Sequence, residues 1–197
     1  MKAHFINLAG RADRNYLMQK NWEGIVQLQR IQGVIFPDEK FGAKGCYKGH
    51  FNAFQEAKKS NTLSVICEDD IVPTSDFIKK LTSCVKELPF GWTMLMVGCN
   101  CNERTTFEKI TNNISKAVSH VTAGHCYIIN PFFYDRFQAE LDNPENGENF
   151  DVLLMNLQKK YDVYVCIPTL CYQYESFSNN SNRIVGNTIT TKKYFKE

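Results

Sequence analysis

Residues 65 to 73, VICEDDIVP, place three acids, Glu68, Asp69 and Asp70, between two apolar stretches. Adjacent like charges repel and Asp is a poor strand former, so folding alone gives little reason for the run. Hard cations such as Mg²⁺ and Mn²⁺ take carboxylate oxygens, and Mg²⁺ commonly combines one or two carboxylates with substrate phosphates. Alternate residues of an extended segment share a face, which lets Glu68 and Asp70 act as metal ligands while Asp69 points elsewhere. Taken alone, the three acids read equally as a solvated turn capping the next helix. Position separates the two readings, because ligands of open α/β sheets bind beyond the carboxyl ends of the strands.

The surrounding pattern supplies such a strand end. Leu63 to Cys67 is a nearly unbroken apolar run, as expected of a central strand covered on both faces. Further strands are expected at His4–Leu8, near Gln29–Ile35, in WTMLMVGCN, in HCYIIN and in DVYVCIP. Helices are expected over Ala12–Trp22, Cys46–Lys59, from Pro73 to Leu88, from an Asn130 cap with Pro131 in the first turn to Leu141, and over Phe150–Tyr161. DNPENGEN is a loop. Strands that alternate with helices predict one α/β domain, residues 1–197, built on a mixed, mainly parallel sheet flanked by helices.

The 197 residues carry 43 % apolar, 22 % charged and 13 % aromatic side chains with a net charge of +2, and no block of five like charges occurs. Charge therefore calls for neither nucleic acid nor an acidic membrane as partner. The opening MKAHFINLAG is too short an apolar stretch for a signal peptide, and no span reaches the roughly eighteen apolar residues of a membrane helix. A cytoplasmic protein is expected. Its eight cysteines mostly sit in apolar runs and have no zinc-finger spacing, which predicts reduced thiols packed as small hydrophobes.

Six blocks in order, FINLAGRADR, GCYKGHFNAF, VICEDDIVP, AGHCYIIN, NFDVLL and PTLCYQYESFSNNS, together resemble glycosyltransferase family 25, which includes lipopolysaccharide and collagen galactosyltransferases. The family pattern has an INL strand with two arginines, GC-x-x-SH, an EDD strand end, a GTHAY-like strand, an isolated Asp before a helix, and a Q…SDI tail. Here Gly49 replaces the Ser, AGHCY replaces GTHAY, and Ser178-Asn179-Asn180 replaces SDI, while EDD is intact.

The resemblance implies a GT-A (nucleotide-diphospho-sugar transferase, Rossmann-like) fold. It also implies transfer of a hexose, galactose or glucose, from a UDP-sugar to a hydroxyl of a glycan, lipopolysaccharide-type or protein-linked acceptor, with inversion. A divalent ion, Mn²⁺ or Mg²⁺, held by Asp70 with Glu68 or Asp69 would offset the charge of the leaving diphosphate; Asp69 could instead orient the ribose or sugar. Asn7, Leu8, Arg11 and Arg14 follow or end the first strand, where arginines would pair with phosphates; a solvated helix start is the bland alternative. Lys48 and His50 fall in the expected first turn of a helix after Gly45, a place suited to anions, although His50 reads as well as a buried, hydrogen-bonded histidine.

An attacking hydroxyl must lose its proton, and Asp151 is the candidate base; its alternative role is to stabilise the helix start. His125 would touch donor or acceptor, or be a core histidine. The parts of Gln173 and Ser178, closing over the donor, rest on the resemblance. Two other classes compete: a binding domain that keeps the fold without turnover, and a Mg²⁺-dependent phosphohydrolase or nucleotidyltransferase. The second lacks both an Asp-x-Asp-x-Thr motif and a Walker-type loop.

Overall fold

The computed structural model describes residues 1–38, 42–101, 103–143, 145, 147–174, 176–178 and 183–185. β1 (Lys2–Asn7) leads into α1 (Ala12–Asn21), β2 (Gln27–Gln32) and α2 (Ala43–Ser60). β3 (Ser64–Glu68) and the short β4 (Ile71–Pro73) flank the acids and are followed by α3 (Phe77–Glu87) and β5 (Met94–Asn100). A hairpin of β6 (Thr106–Lys109) and β7 (Ile114–Ser119) precedes β8 (Thr122–Ile129). A 3₁₀ turn, Pro131–Phe133, opens α4 (Tyr134–Leu141), and then come α5 (Phe150–Lys160), β9 (Val163–Cys166), β10 (Cys171–Gln173), β11 (Ser176–Ser178) and β12 (Arg183–Val185).

Eight strands form one sheet in the order β2-β1-β3-β8-β5-β9-β7-β6. β1 pairs in parallel with β2 and β3, and β5 with β9; β8 is antiparallel to β3 and β5, and β7 to β9 and β6. Only β7 and β8 therefore run against the common direction, which agrees with the expected mixed, mainly parallel sheet.

Successive side chains of the central strands enter opposite cores. Ile66, Met94, Met96 and Tyr127 pack with Phe54 of α2, Phe137 of α4 and Leu153, Leu154 and Leu157 of α5. Val65, Cys67, Leu95, Val97 and Cys126 pack on the other face with Met18 of α1, Trp22 just past its end, and Phe77 and Leu81 of α3. Helices on both faces explain why β3 and β5 read as unbroken apolar runs rather than alternating ones. All eight cysteines are thiols, with no disulfide.

Three expectations need correction. β2 ends at Gln32, and Ile35, placed inside it by the sequence pattern, is exposed. α2 starts at Ala43, so Gly45 lies inside the helix rather than before it, and Lys48 and His50 are not in its first turn. Gly45 is there for close approach: a Cβ at this position would run into the Val34 carbonyl oxygen. Gly49, standing where the family has Ser, likewise faces Ile6 of β1, and a Cβ would come within 2.8 Å of Ile6 Cγ2. The helix expected from Pro73 starts only at Phe77, because Ile71–Pro73 pairs as a strand with β10. The β6–β7 hairpin lies outside the expected elements. Its Thr106, Glu108 and Lys109 are exposed, the polar dress of an edge strand, which weakens any apolar signal.

Candidate functional site

β1 and β3 lie side by side with Ile6 opposite Glu68, so that Asn7 stands level with the acids just beyond the strand end. Its amide donates to Asp69 Oδ2 at 2.6 Å and to the Arg11 carbonyl at 3.0 Å. Arg14, in the first turn of α1, reaches the same acids from the other side. Its Nη1 donates to Asp69 Oδ1 at 2.7 Å and lies 3.1 Å from Asp70 Oδ2. Arg14, Asp69 and Asp70 are all buried, so these are close ion pairs with little solvent screening.

The apolar residues after the acids have a structural purpose. Ile71–Pro73 forms β4, which pairs antiparallel with β10 so that Gln173 lies opposite Ile71. Gln173 Nε2 then donates to Glu68 Oε2 at 3.0 Å and to Asp70 Oδ1 at 3.1 Å, while the Tyr174 amide donates to the Asp70 carbonyl at 3.0 Å. Glu68 and Asp70 thus share a face. Burial, then Asp151 and Asp69, push the Glu68 carboxyl up to about 7 against the pull of Arg14 and Gln173. Burial and Glu68 push Asp70 up to about 7, again with Arg14 opposing.

His50 looks at Glu68 from the opposite wall, with Nε2 3.6 Å from Oε1. Its Nδ1 is 3.1 Å from the Tyr127 hydroxyl, and Phe150 lies flat on its ring at 3.7 Å with an interplanar angle of 1°. Burial lowers the His50 pKa to about 3, the Asp151 carboxylate only partly opposing it, so the ring is neutral.

Asp151 is exposed at the start of α5, and its field acts on both Glu68 and His50. The helix cap is its neighbour Asn149, whose side chain accepts from the amides of Asp151 and Val152. Asp151 Oδ1 instead accepts from the Ala123 amide at 2.7 Å. Ala123 occupies a positive φ of 45°, at the position where the family pattern begins GTH.

The remaining predicted residues lie further from this network. Arg11 turns to Asp13, at 3.0 Å. Leu8 offers its carbonyl to the Arg11 amide at 3.0 Å. Lys48 is exposed with its ammonium over the Phe51 ring at 4.2 Å and takes no part in the hydrogen bonds joining the acids. His125 is fully buried, and burial, against backbone contacts of Cys171 and Ala123, lowers its pKa to about 4. Ser178 sits on β11, paired with Arg183 of β12; its side chain lies outside the described residues, as do Asn179 and Asn180.

Tyr127, Phe150, Tyr174 and Cys46 were not singled out by sequence. Phe150 precedes Asp151, Tyr127 lies two residues after His125, and Cys46 falls in the GC-x-x-SH block with His50, so each had a weak local signal.

Among the described residues Arg14 is the one buried guanidinium against Glu68, Asp69, Asp70 and the nearby Asp151. Burial first, and the neighbouring carboxyls after it, hold Glu68 and Asp70 well above their ordinary range. Glu68 and Asp70, both oxygen donors on one face, fit a divalent cation.

The fold is an α/β domain whose mixed, mainly parallel sheet gathers these acids at the end of a central strand. The model of Glycosyltransferase family 25 (LPS biosynthesis protein) matches residues 40–154, and the chain belongs to that family. No curated protein matches the sequence. Among solved structures, a protein from STIV aligns with a TM-score of 0.49 at 11 % identity over 95 % of each chain. A glycosyltransferase involved in the glycosylation of the major capsid of PBCV-1 gives 0.49 at 8 % identity over 84 % of this chain and 92 % of that one. An apo UDP-glucose pyrophosphorylase gives 0.46 at 9 % identity over 99 % and 81 %. Among the described residues no helix is long and apolar enough to cross a membrane.

Proposed function

We propose that the chain is a metal-dependent glycosyltransferase that moves a hexose, galactose or glucose, from a UDP-sugar to a hydroxyl of a glycan, lipopolysaccharide-type or protein-linked acceptor. The observation that carries this reading is the acid cluster itself. Carboxylates converge at the end of β3 around the buried guanidinium of Arg14, and Glu68 and Asp70 are both pushed up to about 7. Such a cluster is stabilised by a cation and a bound diphosphate together. Family membership supports the same chemistry.

Glu68 and Asp70 would hold Mn²⁺ or Mg²⁺, which supplies a Lewis acid that offsets charge on the leaving diphosphate. Asn7 and Arg14 fix Asp69 and so hold the acid turn in place. Asp151 accepts the proton of the acceptor hydroxyl as its oxygen bonds to the anomeric carbon, while the bond from that carbon to the diphosphate oxygen breaks and UDP leaves. A single displacement of this kind inverts the anomeric centre. The Ala123 amide holds one oxygen of the exposed Asp151 carboxylate, which leaves the other for general-base work.

Calorimetry of UDP binding with and without Mn²⁺, followed by a screen of UDP-sugars for slow hydrolysis, tests the reading. Binding that requires Mn²⁺, is lost in EDTA and is weakened for both ligands by Asp70→Asn is expected. UDP binding indifferent to EDTA and to Asp70→Asn would remove the metal from the mechanism.

A further inference from the structure

Glu68 has a second set of neighbours. Cys46 and His50 are four residues apart on α2 and so share a face of the helix. The Cys46 sulfur, a His50 ring nitrogen and a Glu68 carboxylate oxygen all lie within 4.8 Å of one another. His50 is only 1 % exposed, and its Nε2, the nitrogen facing Glu68, has no hydrogen-bond partner among the described residues. A buried polar atom left so is rare and asks for a ligand.

The rest of the ring is already fixed. Tyr127 meets Nδ1 at 3.1 Å and Phe150 stacks on the ring face at 3.7 Å. An imidazole that ligates a metal is typically oriented through a hydrogen bond at its other nitrogen. Tyr127 provides that bond here.

We propose that Cys46, His50 and Glu68 form a site for zinc, distinct from the hard-cation pair Glu68 and Asp70 but sharing Glu68 with it. Thiolate and imidazole are donors that Zn²⁺ takes readily, whereas Mg²⁺ and Mn²⁺ favour oxygen. Three protein ligands with one position left to water is the form of an open zinc centre, not of a closed four-ligand structural one. Neighbouring ligand atoms in tetrahedral zinc stand about 3.3–3.7 Å apart. The 3.6 Å between His50 and Glu68 has that spacing, and a partly exposed Cys46 can close the remainder by side-chain rotation. Binding converts the Cys46 thiol to a thiolate and releases its proton to solvent.

One consequence rests on the donor reading above: since both ligand sets use Glu68, zinc and the donor's cation compete for it, and zinc opposes UDP binding.

The test is a Co²⁺ titration of the metal-free full chain, reduced, with absorption as the readout and Zn²⁺ as competitor. A saturable near-ultraviolet band of thiolate-to-cobalt charge transfer, abolished by zinc, is expected. Cys46→Ser should remove the band and weaken zinc by about tenfold or more, and Glu68→Gln should weaken it comparably. Asp70→Asn should leave zinc affinity within about twofold while it weakens Mn²⁺-dependent UDP binding. Zinc affinity that survives Cys46→Ser and falls with Asp70→Asn would move the metal to the acid pair and overturn the proposal. Absence of the band at saturating cobalt would overturn it as well. A cobalt band together with metal-independent UDP binding would uphold the zinc site while removing the hard cation, and the competition for Glu68, from the donor reading.

Discussion

Glu68 and Asp69 are adjacent in the chain, yet the fold treats them in opposite ways. Asp69 is completed by the protein: Arg14 lies 2.7 Å from one oxygen and Asn7 2.6 Å from the other, both from β1 and the helix that follows it. Glu68 receives one amide hydrogen from Gln173 and otherwise faces a neutral histidine and the fields of Asp151 and Asp69. A buried charge with good partners can be a structural pin, whereas one with too few partners shifts its pKa and marks a place for a ligand. One turn of chain therefore serves as clamp on one side and mouth on the other. Glu68 is also the more open of the two, its side chain 28 % exposed against 9 % for Asp69, so exposure and partners together set them apart.

The largest effect expected on the mouth side is on rate. Asp151→Asn keeps the size of the side chain and an oxygen to accept from the Ala123 amide, so the fold should persist. If Asp151 is the base, kcat should fall by about 10²- to 10⁴-fold with donor affinity nearly unchanged. The product should carry the inverted anomeric configuration by NMR, and a retained one would sink this mechanism. Were Asp151 important only for holding Ala123 at its positive φ, adding Ala123→Gly would relieve that backbone and restore the rate. No restoration is expected.

On the clamp side the largest effect is on stability. Arg14→Met leaves Asp69 and Asp70 buried without their guanidinium and should cost about 3–5 kcal/mol in urea unfolding. A loss below ~1 kcal/mol would mean that the pair is an exposed one in practice and that the contrast with Glu68 is false.

How much of this was legible in the sequence depends on how local the signal is. The buried β3 ending in acids, the sheet with helices on both sides and the Asn130 cap come from contiguous patterns and are as the sequence predicts. What the sequence hid is long-range. Gln173 reaches the acids only because β10 pairs with β4 across about a hundred residues, and no local pattern encodes that register. The Tyr127–His50–Phe150 stack joins three distant elements in the same way. Gly45 misled for another reason: a glycine reads as a helix boundary, but here it lets the helix press against the Val34 carbonyl. Arg14, expected beside phosphates or at a solvated helix start, is buried against Asp69 and Asp70, carboxylates that only the fold brings to it.

The smallest effect expected is also the most direct gauge of the mouth, namely how stability of the metal-free protein depends on pH. Glu68 and Asp70 have folded pKa values of about 7, above their ordinary 4.5 and 3.8, so the folded state holds more protons between about pH 4 and 7. Their contribution is present at low pH and is lost as pH rises through 7. His50 and His125, lowered from 6.5 to about 3 and about 4, act in the opposite sense: their contribution is present above 6.5 and is lost as pH falls. His4, lowered by burial, adds to the histidine side. Across pH 4.5 to 6.5 the two sets oppose one another, and unfolding free energy in EDTA should be nearly flat. Glu68→Gln removes one acid and leaves the histidines in the majority, so the variant's stability should rise with pH. Its advantage over the wild type should be negligible near pH 4 and reach on the order of 1–2 kcal/mol at pH 7.5. Urea unfolding at several pH values measures this difference. A difference that stays constant across the range would show that Glu68 ionises as an ordinary solvated carboxylate, and the distinction between it and Asp69 would collapse.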